Sequence, residues 1–323
     1  MERRAFIGGL GALAAGWPLH AQAQPVVRNV GLWWATAQVE EFLPSYKRRL
    51  AELGWFEDRN VRFLVRTWSG DVPTMRQQAA ELLATRPDLI VAASNPAIAM
   101  LKELGGRIPV VFVFVADPVG SGFVESLARP RGNITGFTNF EPTMGGKWLE
   151  VLTEAAPATT RALVLMHPET TAHKEFWQTI EQVAASLHVE ATPAGVHNAT
   201  EIERAVAEFG ADRHGGVIAL PHPVTEVNRD LIIHQATSHL LPTVFAFAVN
   251  AAAGALITYG IDSNDAILQT TEYVDRILRG TKPADLPVQA PRTFELVVNL
   301  KTAKTLGLTV PPTLLARADK VIE

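Results

Sequence analysis

Cysteine is absent from this chain of 323 residues, and both charged and aromatic side chains are sparse, at 19% and 7%. The first absence removes disulfides, thiolate metal sites, cysteine nucleophiles and a lipid-modified amino-terminal cysteine together. Neither sign of charge dominates: 29 basic and 33 acidic residues leave a formal net charge of −4, and no run of like charges forms a patch. Nucleic acid is therefore a poor partner. Past residue 23 no apolar run approaches the roughly 20 residues that span a bilayer, so the mature chain is expected not to span a membrane. The usual enzyme signatures are missing as well. "VGSGF" lacks the spacing of a G-x-S-x-G elbow, and there is neither a P-loop nor an H-E-x-x-H. His234 and His239 stand five apart, off the i, i+4 face of a helical metal pair, and the nine histidines read as surface and capping residues. No metal, cofactor or catalytic residue is expected, although a Ser-His-Asp site assembled from distant loops leaves no local signature.

What is present begins with "MERRAFIGGLGALAAGWPLHAQA", a basic pair, an apolar Gly/Ala-rich stretch and a small-residue end. Residues 1–23 thus read as an export signal, and "RRAFI" resembles the twin-arginine type, with Glu2 where Ser or Thr is usual. Both that route and the general one stay open, and either implies a periplasmic protein. Gly9, Gly11 and Ala14 fit a relaxed G-x-G-x-x-A, but no strand precedes them.

Hydrophobic residues make up 47% of the chain, enough for one large core or two ordinary ones. After Pro25, short β-branched runs alternate with longer segments of helical period. Strands are expected at 26–34, 61–68, 89–94, 109–115, 133–140, 161–167, 189–196, 215–221, 242–247 and 255–261. The clearest helices are expected at 39–53, 74–85, 143–155, 174–187, 201–209, 224–239 and 265–279. Runs apolar on both faces suit parallel strands covered on two sides, and crossovers of this length enforce that arrangement. The fold class is α/β, with two doubly wound lobes and a ligand cleft between them. The boundaries expected are 26–139 plus 246–283 for the first lobe and 140–245 plus 284–323 for the second. From Pro283 onward the tail reads as packing.

Candidate site residues lie at strand carboxyl ends, where open α/β sheets bind ligands. Ser94 or Asn95 caps a helix with Pro96 in its first turn, a place that suits an anion or simply ends a strand. Asp117, before Pro118, reads equally as a cap or a ligand contact. Trp33 and Trp34 are adjacent in a strand and must point to opposite faces, so one can face the cleft. Phe140, with Asn139, sits at the first passage between lobes as hinge or wall. His167, His222, Asn250 and Asp262 close the second-lobe strands.

Several stretches carry a family resemblance: the "RRAFIGGLGALAAGWPLHAQAQ" signal, "ELGWFEDRNV", "VVFVFVADPVGSGFVESLARPRGNITGFT" and "FELVVNLKTAKTLGLTVPP". They resemble the extracytoplasmic solute-binding proteins of the ABC transporter family that includes tryptophan-binding lipoproteins, and the likeness runs over essentially the whole chain. It implies a type I periplasmic-binding fold with three crossovers, closing on a small solute, and a permease and ATPase as docking partners. A monomer is expected. The resemblance also implies that Ser94, Asn95 and Pro96 hold a ligand carboxylate and that Asp117 and Asp262 recognise polar groups. His222 stands where an acidic ammonium-binding residue is expected, which shifts the expected solute from an amino acid toward a carboxylate-bearing or aromatic molecule. The missing cysteine makes the protein free rather than lipid-anchored. A periplasmic sensor acting with a membrane receptor is the alternative. A cytoplasmic repressor core shares the fold but would need a DNA-binding head in place of the export signal.

Overall fold

In the computed structural model, residues 27–34, 39–68, 72–139, 141–212, 214–291 and 293–323 are described, so the expected export signal at 1–23 and Phe140 lie outside them. The apolar runs of the sequence become two sheets. The first joins β1 (Arg28–Trp34), β2 (Val61–Thr67), β3 (Leu89–Ala93), β4 (Val110–Val115) and β5 (Ile134–Thr138) in the order β2-β1-β3-β4-β5, all parallel. Helices α1 (Val39–Glu52), α2 (Val72–Ala84) and α3 (Asn95–Glu103) form its crossovers. Every residue of β3 is buried, which is why "LIVAA" shows no polar alternation: helices cover both of its faces.

The second lobe repeats the plan. It contains α4 (Met144–Ala155), β6 (Arg161–Met166), α5 (Thr171–Leu187), β7 (Glu190–Gly195), α6 (Ala199–Phe209) and β8 (Gly215–Ala219), followed by α7 (Pro223–Val227), α8 (Arg229–Ser238), β9 (Thr243–Phe245), α9 (Ala248–Ala252) and β10 (Ile257–Ile261). Its sheet runs β12-β11-β10-β9-β8-β6-β7, where β11 (Phe294–Asn299) and β12 (Lys320–Ile322) come from the tail with α11 (Leu300–Thr305) and α12 (Pro312–Leu315). Only the β10–β11 pair is antiparallel. Leaving out the two tail strands, both sheets have the same doubly wound order, with a reversal between their first and third strands. The duplication is thus visible in topology without a sequence repeat.

Two expected lobe boundaries are corrected. Residues 246–261 do not return to the first lobe, because Ile257 pairs with both Val244 and Val298 inside the second sheet. The return comes with α10 (Ser263–Leu278), whose Ile267, Tyr273, Val274 and Leu278 pack into the first lobe's core beside Tyr46 and Phe137. Residues 284–289 likewise stay with the first lobe: Leu286 is buried there, its carbonyl accepts from Thr135 Oγ1 at 2.6 Å, and the Gln289 carbonyl accepts from the Thr138 amide. The helix expected over 224–239 is two helices, broken at Asn228, whose Nδ2 donates to the Val224 carbonyl at 2.8 Å.

One irregularity in the first sheet shapes the site. The β4–β5 register shifts between Phe112 and Val115, placing an extra residue in β4. Phe114 takes up that bulge at φ +55, a left-handed conformation costly for a bulky side chain. Opposite, Gly136 has φ +156, and a Cβ there would lie 2.1 Å from the Phe112 carbonyl oxygen, so only glycine lets β5 approach the bulge.

Candidate functional site

A cavity of about 360 Å³ lies where the strand ends of both lobes meet. That volume suits a small solute. Trp34 ends β1 and Ser94 follows β3, the two strands flanking the reversal in the first sheet; His222 follows β8, at the corresponding reversal in the second. Open α/β sheets hold ligands at this topological position.

Four aromatic rings form the apolar wall: Trp34, Phe42, Phe114 and Phe247. Trp34 rests on Phe42 with ring centroids 4.7 Å apart. The bulge turns Phe114 out of the strand's alternation and into the cavity, where it meets Phe247 of the other lobe edge-on at 5.4 Å. This contact bridges the lobes.

Against this wall stand polar atoms without a protein partner. Ser94 has φ +86 and ψ 154, a backbone region that costs of order 1–3 kcal/mol for a residue other than glycine. It occupies the N-cap position of α3, yet its side chain makes no capping bond, and its buried Oγ is unpaired. His222 caps α7: Nδ1 accepts the Val224 amide at 3.2 Å, so the proton of the neutral ring sits on Nε2, which is buried and unpaired. Burial, reinforced by the neighbouring His167 and His173, holds its pKa well below the usual histidine value. The Asn139 Oδ1 is a third buried, unpaired atom on the cavity wall. Unpaired buried polar groups are costly, and a ligand that pairs them recovers that cost.

The charged lining is acidic. Glu41, Glu226, Asp262 and Glu295 face the cavity, and no Lys or Arg does among the described residues. Burial pushes the Glu226 carboxyl up to about 7, opposed by its Asn250 hydrogen bond and by Arg229. Glu295 is also raised, by burial and then by Asp262. Its place in β11 corrects the reading of the tail as packing alone.

The expected site residues divide. Trp34, Ser94, His222 and Asp262 line the cavity, Asp262 while capping α10 through its Oδ1, which accepts the Asn264 and Asp265 amides. Trp33 does not: it is fully buried on the opposite face of β1, 6.3 Å from Trp68. The Asn95 amide is consumed by the loop after β4, exchanging bonds with Ala116 O at 2.7 Å and Ala116 N at 3.0 Å. Asp117 neither caps a helix nor reaches the cavity. Its Oδ1 accepts the Gly120 amide in a turn, and its field helps raise the partly exposed Glu175 carboxyl of the other lobe, a rise due first to burial. His167 lies behind the wall, stacked on His222 at 4.1 Å, and the fully buried Asn250 lies behind Glu226, donating to its carboxylate. Phe42, Phe114, Phe247, Glu41, Glu226 and Glu295 were not legible as site residues. Phe114 and Glu295 stood in stretches that carry the family resemblance, without being marked as contacts.

Two α/β lobes of type I periplasmic-binding architecture, closing a cavity at their strand ends, define a solute-binding protein. The chain belongs to the ABC transporter substrate binding protein family, whose model matches residues 45–322. As a member it is the substrate-binding component of an ABC transporter, takes a small solute and is not an enzyme. It is 23% identical over 267 residues to the tyrosine-binding protein of Clostridioides difficile strain R20291, covering 82% of this chain and 76% of that protein. A conserved domain protein from Vibrio cholerae superposes with a TM-score of 0.84 at 24% identity, covering 91% of this chain and 99% of that one. The ABC domain of a Streptococcus pneumoniae protein in complex with L-Trp also gives 0.84, at 23% identity and 92% and 100% coverage. No described helix is long and apolar enough to cross a membrane.

Proposed function

We propose that this protein is the periplasmic receptor of an importer and captures an aromatic α-amino acid by closure of its lobes. One observation carries the reading: a single cavity joins four aromatic rings to unpaired hydrogen-bonding atoms from both lobes and to an acidic wall. The Ser94 hydroxyl and the His222 Nε2–H are donors suited to a carboxylate, and the amino-terminal end of α3 adds a favourable dipole. Glu226 supplies the acidic partner for an ammonium, four residues beyond the position where the family resemblance implies one. The rings take the side chain. Because Ser94 belongs to one lobe and His222 and Glu226 to the other, a solute touching all three favours the closed state by contacts that the open state lacks. The relatives described as tyrosine-binding and as complexed with L-Trp support the same solute class. The basic, apolar amino-terminal segment fits export to the periplasm, and a permease and ATPase are the partners this role requires.

Titration calorimetry with L-Trp, L-Tyr and L-Phe, beside tryptamine and indole-3-propionate, tests the reading. At least one amino acid is expected to bind, each truncated analogue about tenfold or more weaker, and Ser94→Ala to weaken the amino acid by a similar factor. Equal binding of amino acid and indole-3-propionate would remove Glu226 from the ammonium role. Absence of binding by all three amino acids overturns the solute class.

A further inference from the structure

Outside the cavity, β6 and β7 lie in parallel register, Met166 opposite Gly195, so the loops that follow them emerge side by side. They bring together residues far apart in sequence: His167 and Glu169 after β6, and His197 after β7. His167 Nδ1 lies 3.2 Å from Glu169 Oε2, and His197 Nε2 lies 3.1 Å from Glu169 Oε1. One ligating atom from each residue falls within 4.8 Å of the others. A tetrahedral zinc ion with bonds of about 2.0–2.1 Å separates its ligands by roughly 3.3 Å, close to the two histidine–Glu169 distances, and side-chain rotation has to draw the remaining pair in from within 4.8 Å. The arrangement also has an outer support. Glu201, in the first turn of α6, binds His197 Nδ1 at 2.9 Å and accepts the His197 amide at 2.8 Å. A carboxylate on one ring nitrogen orients the imidazole and leaves the other nitrogen free to ligate, the pattern that commonly backs metal-bound histidines.

We propose that His167, Glu169 and His197 form a site for a divalent ion of the zinc class, with Glu201 as the positioning residue for His197. Two imidazoles and a carboxylate favour zinc, cobalt or nickel over calcium and magnesium, which prefer all-oxygen ligands. The Glu169 and His197 side chains are 66% and 46% exposed, so an ion enters from solvent. On the inner side His167 stacks on His222, which puts the ion one ring away from the solute cavity.

The test is calorimetric titration of the mature chain, without a histidine tag, with Zn²⁺ and then Co²⁺. One ion per chain is expected. His197→Ala and Glu169→Gln should each weaken Zn²⁺ binding at least tenfold, and Glu201→Gln by about 10–100-fold. His234→Ala, on the exposed side of α8, should leave it unchanged. Thermal melts of each variant confirm that the exposed substitutions leave the fold intact. Absence of Zn²⁺ binding by the unsubstituted chain, or affinity unchanged in both His197→Ala and Glu169→Gln, overturns the site.

Discussion

Glu226 is where a single side chain decides the most. Its carboxyl is raised to about 7 by burial, so the unliganded protein holds it partly protonated near neutrality. A bound ammonium favours the carboxylate and lowers that pKa. Binding below pH 7 must therefore expel a proton, and affinity for an ammonium-bearing solute is expected to fall by up to about tenfold per pH unit below 7 and to level off above it. Glu41 and Asp262 of the first lobe and Glu295 of the second face the same space, as does His222, whose pKa burial holds well below the usual histidine value. Calorimetry between about pH 5.5 and 8 checks the slope, and Glu226→Gln should flatten it. The same shift sets the opposite trend for the free protein. A carboxyl raised above its unfolded value of roughly 4.3 binds more protons when folded, so its contribution to stability is lost as pH rises from there through 7. None of this was readable in the sequence, where Glu226 is one acid in a short polar stretch. Its pKa comes from what folds over it.

At the scale of elements, the bulged β4 and its neighbour β5 form the device that aims Phe114 at the solute. Gly136→Ala is expected to destabilise the protein by about 2–4 kcal/mol, since it adds a Cβ against the Phe112 carbonyl at a positive φ. Gly132→Ala is the control: it shares a positive φ of 67 but meets nothing within 4 Å, so about 1 kcal/mol is expected from the backbone alone. Denaturant melts of the two separate clash from conformational cost. The strands themselves were legible. All ten apolar runs became strands, because an unbroken β-branched run between helical segments has few other ways to bury itself. The bulge was not, since "PVVFVFV" reads as regular, and the shift arises only when β5 pairs beside it. Nor was the break at Asn228 visible, where the side-chain Nδ2 donates to the Val224 carbonyl as α7 ends.

For the whole molecule, the prediction concerns closure. A solute that touches Ser94 on one lobe and Glu226 on the other should lower the radius of gyration measured by small-angle X-ray scattering. At a hundredfold excess over Kd it should stabilise the protein by about 2.7 kcal/mol. Phe247→Ala, which removes the edge contact to Phe114 across the cleft, should weaken solute binding, with a smaller loss of stability because the ring also packs against the second lobe's core. Unchanged scattering at saturation would show that the solute occupies one lobe only. At this scale the lobe boundaries were half legible. The switch near residue 140 followed the break in strand rhythm, but β10 and the segment at 284–289 gave no local sign of which sheet they join, because a strand's partner is set by the crossovers and not by its own residues.

The sequence by itself determined the α/β class, the two-lobed plan, the positions of the first ten strands and of most of the longer helices, and the family. The class, the plan and the elements follow from periodicity and turn residues, which are local properties, and the family follows from the resemblance carried by stretches such as "FELVVNLKTAKTLGLTVPP". It also pointed to Trp34, Ser94, His222 and Asp262 at strand ends, where this class of sheet binds ligands, and the fold brings these four to one cavity. Tertiary structure alone decided that Trp33, Asn95 and Asp117 serve the scaffold, that Phe114 and Phe247 meet across the cleft, and that the Glu226 carboxyl on the cavity wall has a raised pKa. The physical reason is common to all of these. Which face a side chain presents, and what desolvates it, depends on neighbours distant in sequence that only the packed sheets bring together.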